Sequence, residues 1–318
     1  MAPSRFKQVD LDKIKVISLS KRKSKSEIGS FGRVCASPSA DKFFSSLPKY
    51  LKAADLIEFM ERVKIARRKK YPFHLMMGAH VIKVGLSPII IELMRRHIVT
   101  GLSFNSAGMI HDLELAFTGK TSEDVSAGLS DGSFGMAEET GRYFAEVVQL
   151  AMEEDLGLGE AAGKFINRQK AKYRKYSLFA EADRLGFPAT VHIVIGTDIV
   201  HQQPTFKAGK AAEASYRDFK ILSHLLVAAD RGGVVANIGS AVILPEVFLK
   251  ALTVARNLHK HPCCLTTANF DMINQYRPTM NVVRRPTESG GKGFNFIGHH
   301  EIMIPLLAWG LKEYIGGL

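Results

Sequence analysis

Apolar residues along this chain fall into two kinds of stretch. Some are short runs with almost no polar interruption; others are longer, with apolar positions recurring every three or four residues. The short runs predict strands buried on both faces, and the longer stretches predict helices with one apolar side. Strand-like runs are Leu75–Met77, Ile98–Phe104, Thr190–Ile195, Val234–Ile238, Cys263–Thr267 and Phe294–Ile297. Helical spacing covers 40–70, Pro88–Arg96, a stretch opening at Ser106, Ala137–Met152, 176–185, Tyr216–Ala229, Pro245–Leu258 and 301–315. Residues 153–163, 203–212 and 272–292 read as loops. Strand and helix alternate about six times, which predicts an α/β fold: a doubly wound, mostly parallel Rossmann-like sheet with helices on both faces. Residues 1–40 stand apart as a basic N-terminal extension, leaving 41–318 as the α/β domain.

Each strand-like run closes in small or polar residues. The first ends at Gly78-Ala79-His80 and the second at Ser106-Ala107-Gly108, with Asp112 and Glu114 one to two turns on. The third ends at Gly196-Thr197-Asp198, with His201 nearby. The fourth ends at Gly239-Ser240, the fifth at Thr267-Ala268-Asn269 with Asp271, and the sixth at Gly298-His299-His300. In a parallel sheet all six ends share one edge. Small residues there let a pyrophosphate approach the backbone, and a carboxylate can accept bonds from ribose hydroxyls. Histidines beside such an edge can move protons near neutral pH. His299 and His300 are adjacent, so in an extended chain only one of them faces the cleft.

Composition narrows this picture. The net charge is +12, and part of the excess is local: Lys13 to Lys25, Arg67 to Lys70, and Arg168 to Lys175. The first two runs contain no interleaved aromatics and no nucleic-acid motif accompanies them, so they read as solvated surfaces, with no specific nucleic-acid partner expected. Cys35, Cys263 and Cys264 form no disulfide framework, and the adjacent pair falls in a strand where packing is the expected role. A reducing, cytoplasmic setting follows, since neither a signal peptide nor an apolar run of about 18 residues is present. No HExxH occurs, and His259-Lys260-His261 lies away from the strand ends, so no metal is expected. There is no GxSxG elbow, and Lys292 is a lysine in a glycine-rich stretch.

Five segments, taken in order, resemble the deoxyhypusine synthase family: FNSAGMIHDLELAF, VIGTDIVHQQP, GGVVANIGSAVILPEVFLKALTVARN, LTTANFDMIN and ESGGKGFNFIGHHEIMIPLLAWGL. The resemblance implies NAD as cofactor, a homotetramer, and transfer of an aminobutyl group from spermidine through an imine on an enzyme lysine. The acceptor in that family is a protein lysine or, in related enzymes, a free diamine. By matching position, the cofactor would meet Gly78, Ala79, His80, Ser106, Ala107, Gly108, Asp112, Asp198, Gly239, Ser240, Thr267 and Ala268. Lys292 stands where the family has its imine-forming lysine, with His201 and His299 as further catalytic candidates. Glu114, Glu246 and Asp271 are the expected carboxylates for a polyamine or other small amine. The chain departs from the pattern in three places. Glycine replaces the tryptophan before Lys292, Leu244-Pro245-Glu246-Val247 replaces Pro-Lys-His, and His299 replaces an aspartate.

Overall fold

Six parallel strands lie side by side in the order β3-β2-β1-β4-β5-β6. They are seen in a computed structural model that describes residues 6–7, 9–22, 25–35, 39–259 and 264–315. The first described residues form single turns, and Tyr50 ties them down through its hydroxyl, which donates to the Glu27 carbonyl (2.9 Å). Helices α1 (Ala40–Ser46) and α2 (Leu51–Arg68) lead into β1 (Phe73–Met77). Short α3 (His80–Lys83) and α4 (Ser87–Arg95) then cross to β2 (Gly101–Asn105). From there run α5 (Ser106–Thr118), α6 (Val125–Asp131), α7 (Glu138–Glu153), α8 (Leu158–Arg168) and α9 (Leu178–Leu185), ending at β3 (Ala189–His192). The long α10 (Ala208–Ala229) returns the chain to the middle of the sheet at β4 (Val234–Ile238). The remaining elements are α11 (Ile243–His259), β5 (Thr266–Asp271), α12 (Tyr276–Pro278), β6 (Lys292–Ile297) and α13 (His300–Ile315).

Alternation along the strands builds two layers. Phe73, Leu75, Met77, Leu102, Phe104, Val191, Ala236 and Phe270 face the larger core with α2, α4, α5 and α13. Phe59 of α2 meets Phe73, Phe270, Phe294 and Phe296 at ring distances of 5.7 to 6.1 Å, mostly edge to face, which fixes that helix on the sheet. The other face packs Met76 and Val235 under α10 and α11. It also carries two rows of linked polar side chains, the first buried and the second running from buried Asn237 and Asn269 out to exposed Asn274. His74, Ser103, Thr190 and His192 are linked at 2.8, 2.6 and 3.0 Å. Asn237, Asn269, Asn295 and Asn274 are linked at 2.8, 2.8 and 3.1 Å. Burial holds the His74 and His192 imidazoles neutral, at about 4 and about 3.

The edge strand β3 is closed by side chains of α10. Asp218 Oδ2 accepts the N–H groups of Gly159 (3.0 Å) and Val191 (2.7 Å), and Ser215 bonds both the Val191 carbonyl and the Ile193 N–H. An uncovered edge would leave those groups open to pairing with another chain.

Five expectations change. Of the 153–163 stretch expected to be loop, residues from Leu158 on are helix, because Gly159 and Gly163 let α8 pack directly on the backbone of Ala189 and Phe179, where any Cβ would collide. α10 begins at Ala208, inside the stretch expected to be loop. β5 starts three residues later than expected, so Thr267 and Ala268 lie within the strand, paired to Gly293 and Phe294. Cys264 is exposed in a left-handed turn before that strand, and Cys263 lies outside the described residues. The 272–292 stretch is also partly ordered, with a wide π-type turn over Thr279–Arg284.

Candidate functional site

The strand order reverses between β1 and β4, so the chain leaves the sheet in opposite directions from two neighbouring strands. That reversal marks the crevice position, at the carboxyl edge, where open α/β sheets take their ligands. Both turns at the crevice are glycines packed back to back. The Gly78 N–H donates to the Ile238 carbonyl (2.9 Å), and a Cβ on Gly78 would land on the Gly239 carbonyl. Gly239 sits at φ +66, where a side chain is strained, and a Cβ there would lie 2.6 Å from His300 Cε1. Its N–H donates to the Phe270 carbonyl at the end of β5 (3.0 Å). Ser240 caps α11 by accepting the Leu244 N–H (3.2 Å). Asp271 closes β5, buried, and accepts the Met272 N–H (2.7 Å).

Two imidazoles flank these turns. His80 opens α3, and its ring centre lies 5.6 Å from that of His300. Burial and then the proximity of His300 hold the His80 imidazole below its usual value. His300, not His299, is the histidine that faces inward. His299 is exposed beside Glu301 (3.8 Å), whereas His300 is 1% exposed. The spacing carried this signal: His300, Ile304, Leu307, Ala308 and Leu311 form the buried stripe of α13. A strand-like reading of the pair hides it.

A second feature lies on the β2–β3 side of the same edge. α5 starts directly after β2, and the Asn105 side chain caps it at the Gly108 N–H (3.1 Å). The Ser106 hydroxyl donates to Asp198, which joins the β2 and β3 loops. His201 Nδ1 accepts the N–H groups of Gly196 (3.0 Å) and Asp198 (3.1 Å), so the proton of the neutral ring is on Nε2. That Nε2 is buried without a hydrogen-bond partner among the described residues, 3.9 Å from Asp198 Oδ2. Beside them is a cavity of about 170 Å³, bordered by Lys83, Ala107, His111, Glu114, Glu123 and Asp198. Glu114 accepts bonds from Thr121 (2.6 Å) and Thr140 (2.8 Å), and His111 lies 3.7 Å away. Burial pushes the Glu114 carboxyl up, but the nearby His111 ring and the bonds from Thr121 and Thr140 outweigh that and hold it below the usual range. Three carboxylates therefore border this cavity against one lysine. Lys83 and Glu123 were not anticipated, since each comes from a connecting segment with no motif around it.

Other expected site residues lie elsewhere. Asp112 is fully buried and caps α9, accepting from the Ser177 hydroxyl and from the N–H groups of Leu178 (2.9 Å) and Phe179 (3.4 Å). Burial raises its carboxyl to about 6 against those bonds. Thr267 and Ala268 are buried inside β5. Glu246 braces α11 to the segment after β5, accepting from Asn281 (2.8 Å) with Arg277 at 3.2 Å and Lys250 also bound. Lys292 opens β6, so it sits at the amino edge, about 17 Å along the strand from the crevice. Its Nζ faces Glu58 (3.4 Å) on the protein surface. Among the described residues, no group of three His, Cys, Asp or Glu side chains converges to hold a metal.

No family model and no curated protein matches the chain. Solved structures do match in fold. A conserved LOR/SDH protein from Methanococcus maripaludis S2 superposes with a TM-score of 0.50 at 12% identity, over 88% of this chain and 71% of that one. AgrE, solved as a ternary complex with ornithine and NAD+, gives 0.51 at 14% identity, over 86% of this chain and 35% of its own. ArgZ, an arginine dihydrolase from the cyanobacterial ornithine-ammonia cycle, gives 0.50 at 16%, over 84% and 34%. The chain thus spans about a third of AgrE and ArgZ. At these identities the likeness is one of fold. None of these three is a deoxyhypusine synthase, and the five-motif resemblance stands on the sequence alone.

Proposed function

We propose that the chain is a NAD-dependent enzyme acting on a small amine, with the dinucleotide across the β1–β4 crevice and the amine in the acidic cavity beside it. The observation that carries this reading is the reversal of the strand order between β1 and β4, the place where open α/β sheets take their ligands, with a glycine turn on each side of it. His300 Nδ1, buried and without a hydrogen-bond partner among the described residues, suits a ligand with a hydrogen-bond donor. AgrE, of the same fold, was solved with NAD+ and ornithine. Bound there, NAD would accept a hydride from the carbon beside an amine nitrogen.

The chain's own residues supply the rest. Glu114, Glu123 and Asp198 attract an ammonium group, and Ser106 and His201 hold Asp198 in place. His80, kept neutral by burial, can take up a proton at the crevice. The cavity has room for an amino-acid-sized group, not for a whole dinucleotide, which matches a division of labour between crevice and cavity. An aminoalkyl transfer of the deoxyhypusine synthase kind is a finer version of the same reading. With Lys292 at the opposite edge, the accepting nitrogen there would be that of a free amine.

The test is NAD with spermidine, putrescine, ornithine or arginine in turn, followed by the absorbance of reduced nicotinamide and by product analysis. Reduction that depends on one amine supports the proposal. NAD bound without reduction by any amine would leave a nucleotide-binding protein, and no NAD binding would remove the reading altogether.

A further inference from the structure

His300 is the one buried histidine at the crevice whose hydrogen bonding is left half complete. Its Nε2 lies 3.2 Å from the Phe270 carbonyl. A carbonyl oxygen only accepts, so Nε2 carries the proton. In the neutral ring, Nδ1 is then a bare acceptor. It is buried, and no donor reaches it among the described residues. A buried acceptor left unmatched costs on the order of 1–3 kcal/mol, so such groups point to a missing partner.

Its surroundings narrow the identity of that partner. The same Phe270 carbonyl also accepts the Gly239 N–H (3.0 Å), so the ring is fixed to the turn that closes β4. The ring fills the space where a Gly239 Cβ would be. His80 is near but forms no hydrogen bond to it, their ring centres being 5.6 Å apart. A phosphate oxygen has no proton to give, so it could meet Nδ1 only on a doubly protonated ring. A hydroxyl would complete the ring's bonding.

We infer that His300 Nδ1 accepts a hydrogen bond from a ribose hydroxyl of the bound nucleotide, making His300 a specificity-determining residue that selects a sugar hydroxyl over a phosphate at this point. The inference rests on the nucleotide-binding reading above and names the contact within it.

The test separates His300's two nitrogens. His300→Gln keeps a donor able to reach Phe270 but lacks the Nδ1 acceptor, and His300→Asn keeps an acceptor near Nδ1. Calorimetry would measure NAD and a set of NAD analogues, each lacking one ribose hydroxyl, against the wild type and both variants. One analogue should bind the wild type at least about tenfold more weakly than NAD. His300→Gln should weaken NAD by a similar factor and bind that analogue no worse than NAD, so the discrimination disappears. His300→Asn should retain part of it. A role in packing alone would weaken NAD and analogue equally in the variants and leave the wild type's preference intact in His300→Gln. That result overturns the inference, as does a wild type that binds every analogue as well as NAD. A wild type that binds NAD with no such discrimination sinks only this contact. A wild type that binds no NAD sinks the functional reading as well.

Discussion

The two edges of the sheet carry similar residue types in opposite roles. At the carboxyl edge the turns are Gly78 and Gly239, packed against each other, with half-satisfied imidazoles and a cavity rimmed by carboxylates. At the amino edge the turns are helix ends, and the residues are basic: Arg67 to Lys70 after α2, Arg95 to His97 after α4, and Arg231 after α10. Lys70 and His97 take the left-handed conformation usual for glycine, with Tyr71 and Ile98 N–H groups closing back on Ala66 and Leu93. Helix C-termini carry a partial negative charge, which these cations offset. A lysine at the amino edge is therefore explained by the fold, while an unpartnered histidine at the carboxyl edge is not. Position along a strand decides which reading a charged residue deserves.

Substitutions can break that contrast. The largest effect is expected at Gly78→Val, whose side chain must enter the Gly239 backbone. A loss of about 3–5 kcal/mol, or failure to fold, should appear in urea denaturation. Gly239→Ala should cost less, about 1–3 kcal/mol, and abolish nucleotide binding by displacing His300.

Asp218 sharpens the contrast from inside the fold, because it is strongly perturbed and yet serves only the backbone. Burial raises its carboxyl to about 8, with bonds from Val191 and Gly159 opposing. Its folded value lies above the unfolded 3.8, so the native state holds the proton more tightly. Its stabilisation is full below about pH 4 and is lost as pH rises through about 8. Asp218→Asn does not titrate. The unfolding free energy of the wild type minus that of the variant should fall by roughly 2–5 kcal/mol between pH 4 and pH 9. A flat difference would mean that the carboxyl is ionised throughout.

At the cavity, Glu114→Gln should raise the KM for the amine about tenfold with a smaller change in kcat, since one charge-assisted contact is lost. An unchanged KM would place the amine elsewhere. The smallest effect belongs to the amino edge. Lys292→Ala removes an exposed ion pair and should change stability by less than about 0.5 kcal/mol, leaving NAD affinity unaltered by calorimetry. Loss of nucleotide binding in that variant would join the two edges that the fold keeps apart.

Much of the carboxyl edge was legible in the sequence because β1, β2 and β4 are apolar runs that stop abruptly at glycine or asparagine. The parallel sheet followed from the spacing of those runs. β5 was cut short because one of its two buried faces carries Thr267, Asn269 and Asp271, polar residues that hydropathy assigns to a strand end. Only the pairing of Asn269 with Asn237 and Asn295 makes them suitable for a buried strand. Lys292 reads as preceding the β6 run and does so; its catalytic role came only from the resemblance, and the direction of the strand puts it at the amino edge. The acidic, glycine-rich 153–163 stretch hid a helix because its glycines act through tertiary packing, which leaves no periodic trace. Asp112 looked like a ligand for ribose, but its partners are N–H groups some 66 residues away in sequence.

The most direct measurement is a titration of the ¹⁵N-labelled protein with NAD, read at the backbone amides of both edges. The account predicts saturable shifts at Gly78, Gly239 and His300, with Gly232 and Gly291 at the amino edge unmoved. Shifts centred on Gly232 and Gly291, or none at Gly78 and Gly239 at saturating NAD, would contradict it.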